Sequence, residues 1–423
     1  MRIAIWHNLP SGGGKRALYQ QVEGLLARGH TVEAWCPAQA NQDFLPLSQL
    51  VQEHVLPCPP VAWRPEVVRS GLRRIFLHYK NTRHVLGVMD AHARQAAAEI
   101  TAGRFDVLLA HPCQQLRVPA IGRYVRGPRV LYLQEPYRQL YEAAPRLPWV
   151  ADDWEPRYWR SPQAAARFVR DALGVQALRL AAREELASVR AFDRVLVNSL
   201  FSRESLLRAY GVAAQVCYLG LDAERFRPSG APRERLVVSL GALHPTKRVD
   251  LAVRTVAAIA PAQRPPLVWV ANFADVVYQQ GVEALAKELG VSLTVYLGVD
   301  DAAVVGWLSR AAVMLYTPRL EPFGFAPLEA NACETPVVAV AEGGVRETVQ
   351  DGVNGRLLES DDPAALGAAL LALLDDPPQA RRLGVAGRQR VLDHWQWSRS
   401  VEALEQALDG CARAGRGPQG GRA

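Results

Sequence analysis

The sequence predicts an α/β protein made of two doubly wound domains that face each other across a cleft. Short β-branched strands alternate with helical stretches in both halves, which is the pattern of a parallel sheet covered by helices. Residues 235–241 restart the chain with a strand and a glycine, much as residues 1–14 open it. At 423 residues, the chain is about twice as long as a typical single domain. Ligands of such domains bind at the carboxyl ends of the strands.

The predicted strands form two sets, one in each half. Those of the first half are residues 3–6, 32–35, 107–110, 130–133, 195–197 and 216–219. Those of the second half are residues 236–240, 267–270, 293–297, 313–316 and 337–340. The sets predict a first domain over residues 1–223 and a second over residues 235–394.

Proline and glycine predict a linker at residues 224–234, between the two domains. A helical stretch at residues 379–408 has a break near Trp395, and we expect residues 395–412 to cross back to the first domain. The tail at residues 415–423 is rich in glycine, arginine and proline, which predicts disorder.

The composition is that of a globular protein, with 49% hydrophobic and 22% charged residues. The longest uncharged apolar run is residues 364–374, far shorter than the roughly 20 residues of a membrane-spanning helix. The first residues read as a strand rather than a signal peptide, so we expect a cytoplasmic protein. The net charge of +7 suits phosphate ligands or an anionic membrane surface. The sequence has no basic stripe interleaved with aromatic residues, so it does not indicate a nucleic-acid partner.

The six cysteines are widely scattered and form no C-x-x-C pair. Their spacing predicts neither a zinc site nor a disulfide framework. We therefore expect reduced and mostly buried thiols.

The most informative segment is residues 320–333, which lies between two predicted strands and should form a loop that enters a short helix. Pro327 suits the first turn of that helix, where its missing N–H costs nothing. Backbone amides near Gly324 would then lie at the positive end of the helix, a favourable place for phosphate. Glu321 and Glu329 are carboxylates that can accept hydrogen bonds from sugar hydroxyls. The alternative is that Glu329 only complements the helix dipole and Glu321 is solvated.

This segment resembles the signature of the family-4 retaining glycosyltransferases, and the likeness spans essentially residues 1–410. Further matching motifs follow in order at residues 198–199, 218–222, 247–250, 343–347 and 351–355. The resemblance implies the GT-B fold of two Rossmann-like domains, the first facing the acceptor and the second binding the nucleotide sugar. It also implies transfer of a sugar from a UDP- or GDP-linked donor to a glycan or lipid-linked acceptor, with retention of the anomeric configuration.

The resemblance gives roles to single residues of the segment. Glu329 matches the carboxylate that holds the donor ribose, and Glu321 matches the carboxylate near the transferred sugar. The donor-binding loop, whose backbone amides meet the sugar and the phosphates, corresponds to Phe323, Gly324 and Phe325.

Lys247 matches the lysine that binds the donor diphosphate, and a solvated surface lysine is the alternative. Many relatives add an arginine directly after the glycine at position 241, where this chain has Ala242. Arg248 or Arg346 would have to supply the second cation.

Three glycines, Gly12, Gly13 and Gly14, follow the first predicted strand and open a helix. Glycine lets a backbone approach a pyrophosphate closely. In the family, this loop of the first domain closes the donor and acceptor side of the cleft. Lys15 and Arg16 would either add charge there or be solvated at the start of the helix.

Gln134 stands where many members of the family have a histidine beside the reacting centre. Its amide can hydrogen-bond a sugar hydroxyl but cannot titrate as a base. His111 is a candidate substitute. With Gln134, the residues expected to take part in catalysis are Glu321 and Lys247.

The family's reaction needs no bound metal and no further cofactor, and the leaving phosphate takes the acceptor's proton. Cations and helix-end amides would stabilise the charge that builds on the diphosphate. The aspartate pairs at residues 300–301 and 361–362 fall at apparent helix starts, where capping explains them. Two other functions stay open, a non-catalytic sugar-nucleotide-binding protein and a cofactor-free sugar phosphorylase or synthase of the same fold.

Residues 64–84 carry six basic side chains against one acidic side chain. Apolar residues recur there at near-helical spacing, namely Val67, Val68, Leu72, Ile75 and Phe76. A basic amphipathic helix of this kind can lie on an anionic leaflet, which predicts peripheral contact with the inner face of the membrane. The alternative is a surface helix packed on its own domain.

Overall fold

The computed structural model describes residues 1–59, 71–142 and 161–415, with the backbone alone for residues 71–75. The chain divides into two compact units. The first unit consists of Met1–Val197, Arg203–Gln215 and the chain from Leu404 onward. The second consists of Asn198–Ser202 and Val216–Ala403.

The first part of the chain alternates strands and helices. Its elements are β1 (Arg2–Asn8), α1 (Gly13–Ala27), β2 (Thr31–Pro37), β3 (Gln52–Leu56), α2 (Gly71–Ala102), β4 (Val107–Cys113), β5 (Arg129–Tyr132), α3 (Arg138–Tyr141), α4 (Pro162–Val189), β6 (Arg194–Val197), α5 (Leu200–Tyr210) and β7 (Gln215–Val216). Within the described residues they give a seven-stranded sheet in the order β3-β2-β1-β4-β5-β6-β7. Strands β1 to β6 pair in parallel. The strand order reverses between β1 and β4, and ligands of doubly wound sheets bind at such a reversal.

The second part repeats the pattern. Its elements are β8 (Glu234–Leu240), α6 (Val249–Ala257), β9 (Leu267–Ala271), α7 (Val276–Glu288), β10 (Leu293–Leu297), α8 (Asp301–Arg310), β11 (Ala311–Tyr316), α9 (Phe325–Ala332), β12 (Val337–Val340), α10 (Val345–Thr348), β13 (Gly355–Leu358), α11 (Pro363–Asp375), α12 (Pro377–His394) and α13 (Trp397–Gly415). In the described chain these strands form a six-stranded parallel sheet in the order β10-β9-β8-β11-β12-β13. Its order reverses between β8 and β11, so the segments that follow these two strands are brought together.

Every predicted strand has a counterpart, although the last one of the first half shrinks to Gln215–Val216. Two strands were not predicted, and both lie at the edges of their sheets. Strand β3 has mixed polar and apolar residues, and β13 begins with a glycine, so neither shows the run of β-branched residues that marks the central strands.

The predicted linker at residues 224–234 is instead packed within the second unit. Phe226 is fully buried. The guanidinium of Arg233 donates to the carbonyls of Leu308, Ala311 and Cys333 and to the hydroxyl of Thr335. The second unit accordingly starts at Val216 rather than at residue 235. Composition predicted a linker there because it does not show that Phe226 and Arg233 anchor the segment.

Two local predictions are confirmed at the helix ends. Asp300 caps α8 by accepting from the amide of Ala303 at 2.8 Å, and Asp362 caps α11 in the same way. The predicted break near Trp395 separates α12 from α13. Residues of α13 up to Ala403 group with the second unit and those from Leu404 with the first.

Parts of two predictions lie outside the described residues. These parts are residues 64–70 of the basic amphipathic segment, with the side chains of residues 71–75, and the tail from residue 416. Among the helices that the structure describes, none combines the length and the apolar character required to cross a bilayer.

Candidate functional site

A lysine and a glutamate meet in the second unit, beyond the ends of β8 and β11, where the strand order reverses. The ammonium of Lys247, after β8, lies 2.6 Å from Oε2 of Glu321, after β11. The stem of Lys247 runs along Gly241, where a Cβ would lie 3.5 Å from its Cγ and Cδ. The hydroxyl of Thr317 donates to the carbonyl of Lys247 at 3.0 Å and fixes the turn against the end of β11. The two residues predicted from separate motifs therefore form one site.

Helix α9 begins at Phe325, four residues beyond Glu321. Gly324 precedes the helix with φ of 97°, a left-handed conformation that favours glycine. Among the described residues, no side chain caps this N-terminus. Backbone amides at a helix start carry partial positive charge, so this end of α9 suits a phosphate group.

The side chain of Phe323 is part of the core rather than of a ligand surface. It is 2% exposed and packs edge-on against Phe325 and Trp395. Phe323 therefore anchors the loop, and only its backbone remains to meet a ligand. The predicted backbone role of residues 323–325 is compatible with this arrangement.

Glu329 lies on the second turn of α9 and is half-buried. Its carboxylate and that of Glu321 both act on the buried hydroxyl of Tyr316, at the end of β11. Burial, the charges of the two carboxylates and a hydrogen bond with Glu321 raise the pKa of Tyr316 well above its ordinary value. Tyr316 is a site residue that the sequence analysis missed, because a tyrosine ending a buried strand looks like an ordinary core residue.

The loop before α9 is held by residues of the motif at 198–199. The hydroxyl of Ser199 donates to the carbonyl of Pro322 at 2.5 Å. It also accepts from the amide of Ser202 at 2.9 Å. This pair of bonds fixes the backbone directly beside Glu321.

Glu347 orders the same region from α10. Its carboxylate accepts from the amides of Leu200 and Phe201 at 2.9 and 3.0 Å, and from the hydroxyl of Tyr218 at 2.9 Å. The motifs at residues 198–199, 218–222 and 343–347 thus converge on one hydrogen-bonded scaffold. Charged acceptors of this kind give stronger hydrogen bonds than neutral ones.

Two glycines of the 343–347 motif are required by close packing on the loop. A Cβ on Gly343 would lie 2.4 Å from the carbonyl oxygen of Glu321, and one on Gly344 would lie 2.3 Å from that of Pro322. The amide of Gly344 donates to the Glu321 carbonyl at 2.7 Å. Any side chain at either position would push the loop away from its place.

The candidate second cations are engaged with other groups. Arg248 pairs with Asp361 at 2.6 Å, and Nε of Arg346 donates to the carbonyl of Gly343 at 3.2 Å. Asp361, read from the sequence as a capping residue, is thus an ion-pair partner. A role of Arg248 in donor binding stays a prediction.

In the first unit, Gln134 lies beside the glycine loop. A Cβ on Gly14 would be 3.6 Å from Oε1 of Gln134. Gly12 has φ of 136°, so the turn between β1 and α1 requires glycine. The glycine loop and Gln134 are therefore neighbours within the first unit.

Lys15 does not take the solvated position that one alternative gave it. It is fully buried, and burial lowers its pKa. His111 is also fully buried and stacks on Tyr132 with ring centroids 5.7 Å apart. Burial lowers the pKa of His111 to about 3, far from the value that suits a general base near neutral pH. The structure therefore does not favour His111 as the substitute base.

Comparison with known families gives a match in the second unit. Residues 222–390 match the family model described as "Glycosyl transferases group 1". A GDP-mannose-dependent alpha-(1-6)-phosphatidylinositol monomannoside mannosyltransferase of Mycolicibacterium smegmatis is 32% identical over 240 residues, which cover 52% of this chain and 62% of that protein. A D-inositol 3-phosphate glycosyltransferase of Geodermatophilus obscurus is 34% identical over 242 residues, covering 52% and 53%. The chain thus spans less than two thirds of these relatives.

Solved structures match nearly the whole chain at low identity. Sucrose-phosphate synthase from Thermosynechococcus elongatus superposes with a TM-score of 0.73 at 19% identity, covering 98% of this chain and 99% of that one. Anabaena HepE, solved in complex with UDP and glucose, gives 0.68 at 18% identity, covering 97% and 100%. These likenesses confirm the predicted fold class of two Rossmann-like domains.

Proposed function

We propose that this protein transfers a hexosyl group from a nucleotide-diphosphate sugar to a glycan or lipid-linked acceptor. The match of residues 222–390 to the group 1 glycosyltransferases and the likeness of the fold to that of solved glycosyltransferases support the proposal. The observation that carries the proposal is the pair of Lys247 and Glu321 beside the start of α9. A cation, a carboxylate and a helix N-terminus are the groups that a diphosphate bound to a sugar requires.

Each part of the donor would bind the group that matches its charge or its hydrogen-bonding capacity. The diphosphate takes the ammonium of Lys247 and the amides that open α9. Glu321 is then released from its ion pair and accepts hydrogen bonds from hydroxyls of the transferred sugar. Glu329 accepts from the ribose hydroxyls.

The chemical step depends on the charge of the leaving diphosphate. As the bond between the anomeric carbon and the phosphate oxygen breaks, negative charge grows on that oxygen. Lys247 and the helix-end amides stabilise this charge more in the transition state than in the ground state. The phosphate oxygen takes the proton of the acceptor hydroxyl as the new glycosidic bond forms on the same face of the sugar. Retention and independence of added metal are parts of this proposal.

The names of the relatives support the substrate class. One is named for GDP-mannose and a phosphatidylinositol mannoside, others for inositol 3-phosphate, and a neighbouring structure holds UDP-glucose. The acceptors named there, a phosphatidylinositol monomannoside and inositol 3-phosphate, both contain an inositol ring and a phosphate group. We accordingly propose an acceptor of this class and a location at the cytoplasmic face of the membrane.

The first test is a thermal-shift screen with UDP and GDP, followed by donor turnover with the matching nucleotide sugars. We expect one diphosphate to stabilise the protein, by about 2.7 kcal/mol at a hundred times its Kd. Turnover should be equal with and without added Mg²⁺. The anomeric proton of the product, observed by NMR, should show the configuration of the donor.

The opposite results separate the rival functions. A diphosphate that stabilises the protein while no donor is hydrolysed or transferred would indicate a non-catalytic sugar-nucleotide-binding protein. Inversion at the anomeric carbon would contradict the mechanism but not the activity.

The membrane contact predicted for residues 64–84 is tested by sedimentation with vesicles. We expect binding to vesicles that contain anionic lipid at low salt, and loss of that binding in the double variant Arg73→Glu, Arg74→Glu, because each basic residue near the surface contributes about 1 kcal/mol. Vesicles of neutral lipid are the control. Failure of the wild-type protein to bind anionic vesicles at low salt would refute this part of the proposal and leave the transferase activity untouched.

A further inference from the structure

Three residues with different chemistry meet in the buried part of the first unit, near the carboxyl ends of β1 and β2. They are His7 on β1, Cys36 on β2 and Glu53 on β3, which we call the β1–β3 cluster. Nε2 of His7 lies 2.9 Å from Oε1 of Glu53, and Sγ of Cys36 lies 3.6 Å from the same oxygen. All three atoms lie within 4.8 Å of one another.

The sheet register explains why residues so distant in sequence meet. Trp6 pairs with Trp35, so His7 and Cys36 are the next residues on adjacent parallel strands. Glu53 pairs with Ala34, which precedes Cys36 by two residues and therefore points to the same face of the sheet. The cluster thus follows from the fold rather than from a local motif.

The cluster is closed to solvent, and part of its hydrogen-bonding capacity is unused. The side chains of His7 and Glu53 are 0% and 1% exposed. Within the described part of the chain, Nδ1 of His7 and Oε2 of Glu53 have no hydrogen-bond partner. Buried polar atoms are nearly always paired, so unpaired ones require a specific explanation.

Lys15, in the first turn of α1, interacts electrostatically with His7, Cys36 and Glu53 and is itself an anomaly. It is fully buried, and its Nζ has no hydrogen-bond partner among the residues that the structure describes. An unpaired buried ammonium is strongly destabilising, so Lys15 requires an explanation as well.

We propose that His7, Cys36 and Glu53 bind a divalent transition-metal ion, zinc above all, inside the first unit. An imidazole nitrogen, a thiolate and a carboxylate oxygen are the ligands that proteins offer to zinc. Around a tetrahedral zinc ion such atoms lie roughly 3.3–3.5 Å apart. Two observed separations, 2.9 and 3.6 Å, lie on either side of that range, and all three atoms lie within 4.8 Å of one another. A soft thiolate with an imidazole excludes Mg²⁺ and Ca²⁺, which take oxygen ligands.

Binding requires one proton to leave. Cysteine binds zinc as the thiolate, so the thiol proton of Cys36 must leave when the ion enters. The metal replaces that proton, which passes to solvent, and the thiolate and the carboxylate together balance the charge of the dication. The site interacts with Lys15 of α1, which begins in the predicted donor loop, so the ion would hold this part of the first unit rather than enter the reaction.

The test measures zinc in the full-length protein produced in zinc-supplemented medium. We expect about one zinc per chain in the wild type and at least about tenfold less in Cys36→Ser and His7→Gln. Cys113→Ser is the matched control, because Cys113 is an equally buried thiol at the end of β4. It should keep the zinc of the wild type.

Two further measurements make the result independent of how well a variant folds. The wild type loaded with Co²⁺ should show thiolate-to-metal charge transfer in its absorption spectrum. Wild type refolded with Zn²⁺ should melt at a higher temperature than wild type refolded with a chelator. The proposal would be overturned if folded wild type contained less than about a tenth of an equivalent of zinc, both after production in zinc-supplemented medium and after refolding with Zn²⁺, and if its Co²⁺ form showed no charge-transfer band. The cluster would then be a metal-free hydrogen-bonded network.

Discussion

Replacing Lys247 with methionine should lower kcat/KM for sugar transfer by about a hundred- to a thousand-fold, the effect of removing one preorganised group that stabilises an oxyanion. Methionine keeps most of the stem that packs along Gly241 and removes only the charge. The loss should be large because Ala242 offers no second cation beside Gly241, and Arg248 is already paired with Asp361 at 2.6 Å. Steady-state kinetics with the donor that the screen identifies would measure it.

Lys287 provides the matched control for this substitution. It is a lysine of the same unit that lies exposed on α7. Lys287→Met should leave kcat/KM within about twofold of the wild type, as is usual for surface substitutions. A folded Lys247→Met variant that transfers sugar at a comparable rate would show that another cation neutralises the diphosphate.

The central strands, the helix caps and the main site segment were predictable because their signals are local. A buried strand is a run of β-branched residues, and an aspartate such as Asp300 caps the helix that follows it directly. The edge strands β3 and β13 lack such a signal, and both were missed. The linker was predicted from proline and glycine, which are local signals. The contacts with which Arg233 anchors the segment involve residues distant in sequence, so composition does not show them.

Pairings between distant residues could not be read from the sequence. Lys247 and Glu321 were predicted from separate motifs. The reversal of strand order between β8 and β11 brings the segments that carry them together, and the Lys247 ammonium lies 2.6 Å from the Glu321 carboxylate. The scattered cysteines indicated no metal site for the same reason, since His7, Cys36 and Glu53 come from three strands. Sequence patterns show what each residue offers, whereas the register decides which residues share a site.

The ion pair between Lys247 and Glu321 sharpens the roles assigned to the two glutamates. In Glu321→Ala the ammonium of Lys247 loses its partner and is more available to a diphosphate. Affinity for the free nucleoside diphosphate should therefore stay within about threefold of the wild type or increase, while kcat/KM for transfer falls. Glu329→Ala should instead weaken the free diphosphate by roughly ten- to a hundred-fold. Hydrogen bonds to a charged acceptor contribute about 1.5–3 kcal/mol.

A 2′-deoxy nucleoside diphosphate separates binding of the ribose from a loss of structure. If Glu329 holds the ribose hydroxyls, the wild type should bind the deoxy form more weakly than the ribose form, and Glu329→Ala should bind both alike. This cycle isolates one interaction, because a variant that is merely less well folded would lose affinity for both ligands by the same factor.

Calorimetric titration of the wild type, Glu329→Ala and Glu321→Ala with the two diphosphates gives all six affinities. Glu321→Ala should discriminate between the two ligands as the wild type does, since its partner is the sugar and not the ribose. If Glu321→Ala loses diphosphate affinity as severely as Glu329→Ala, or if Glu329→Ala still prefers the ribose form, the two carboxylates do not divide the donor as proposed.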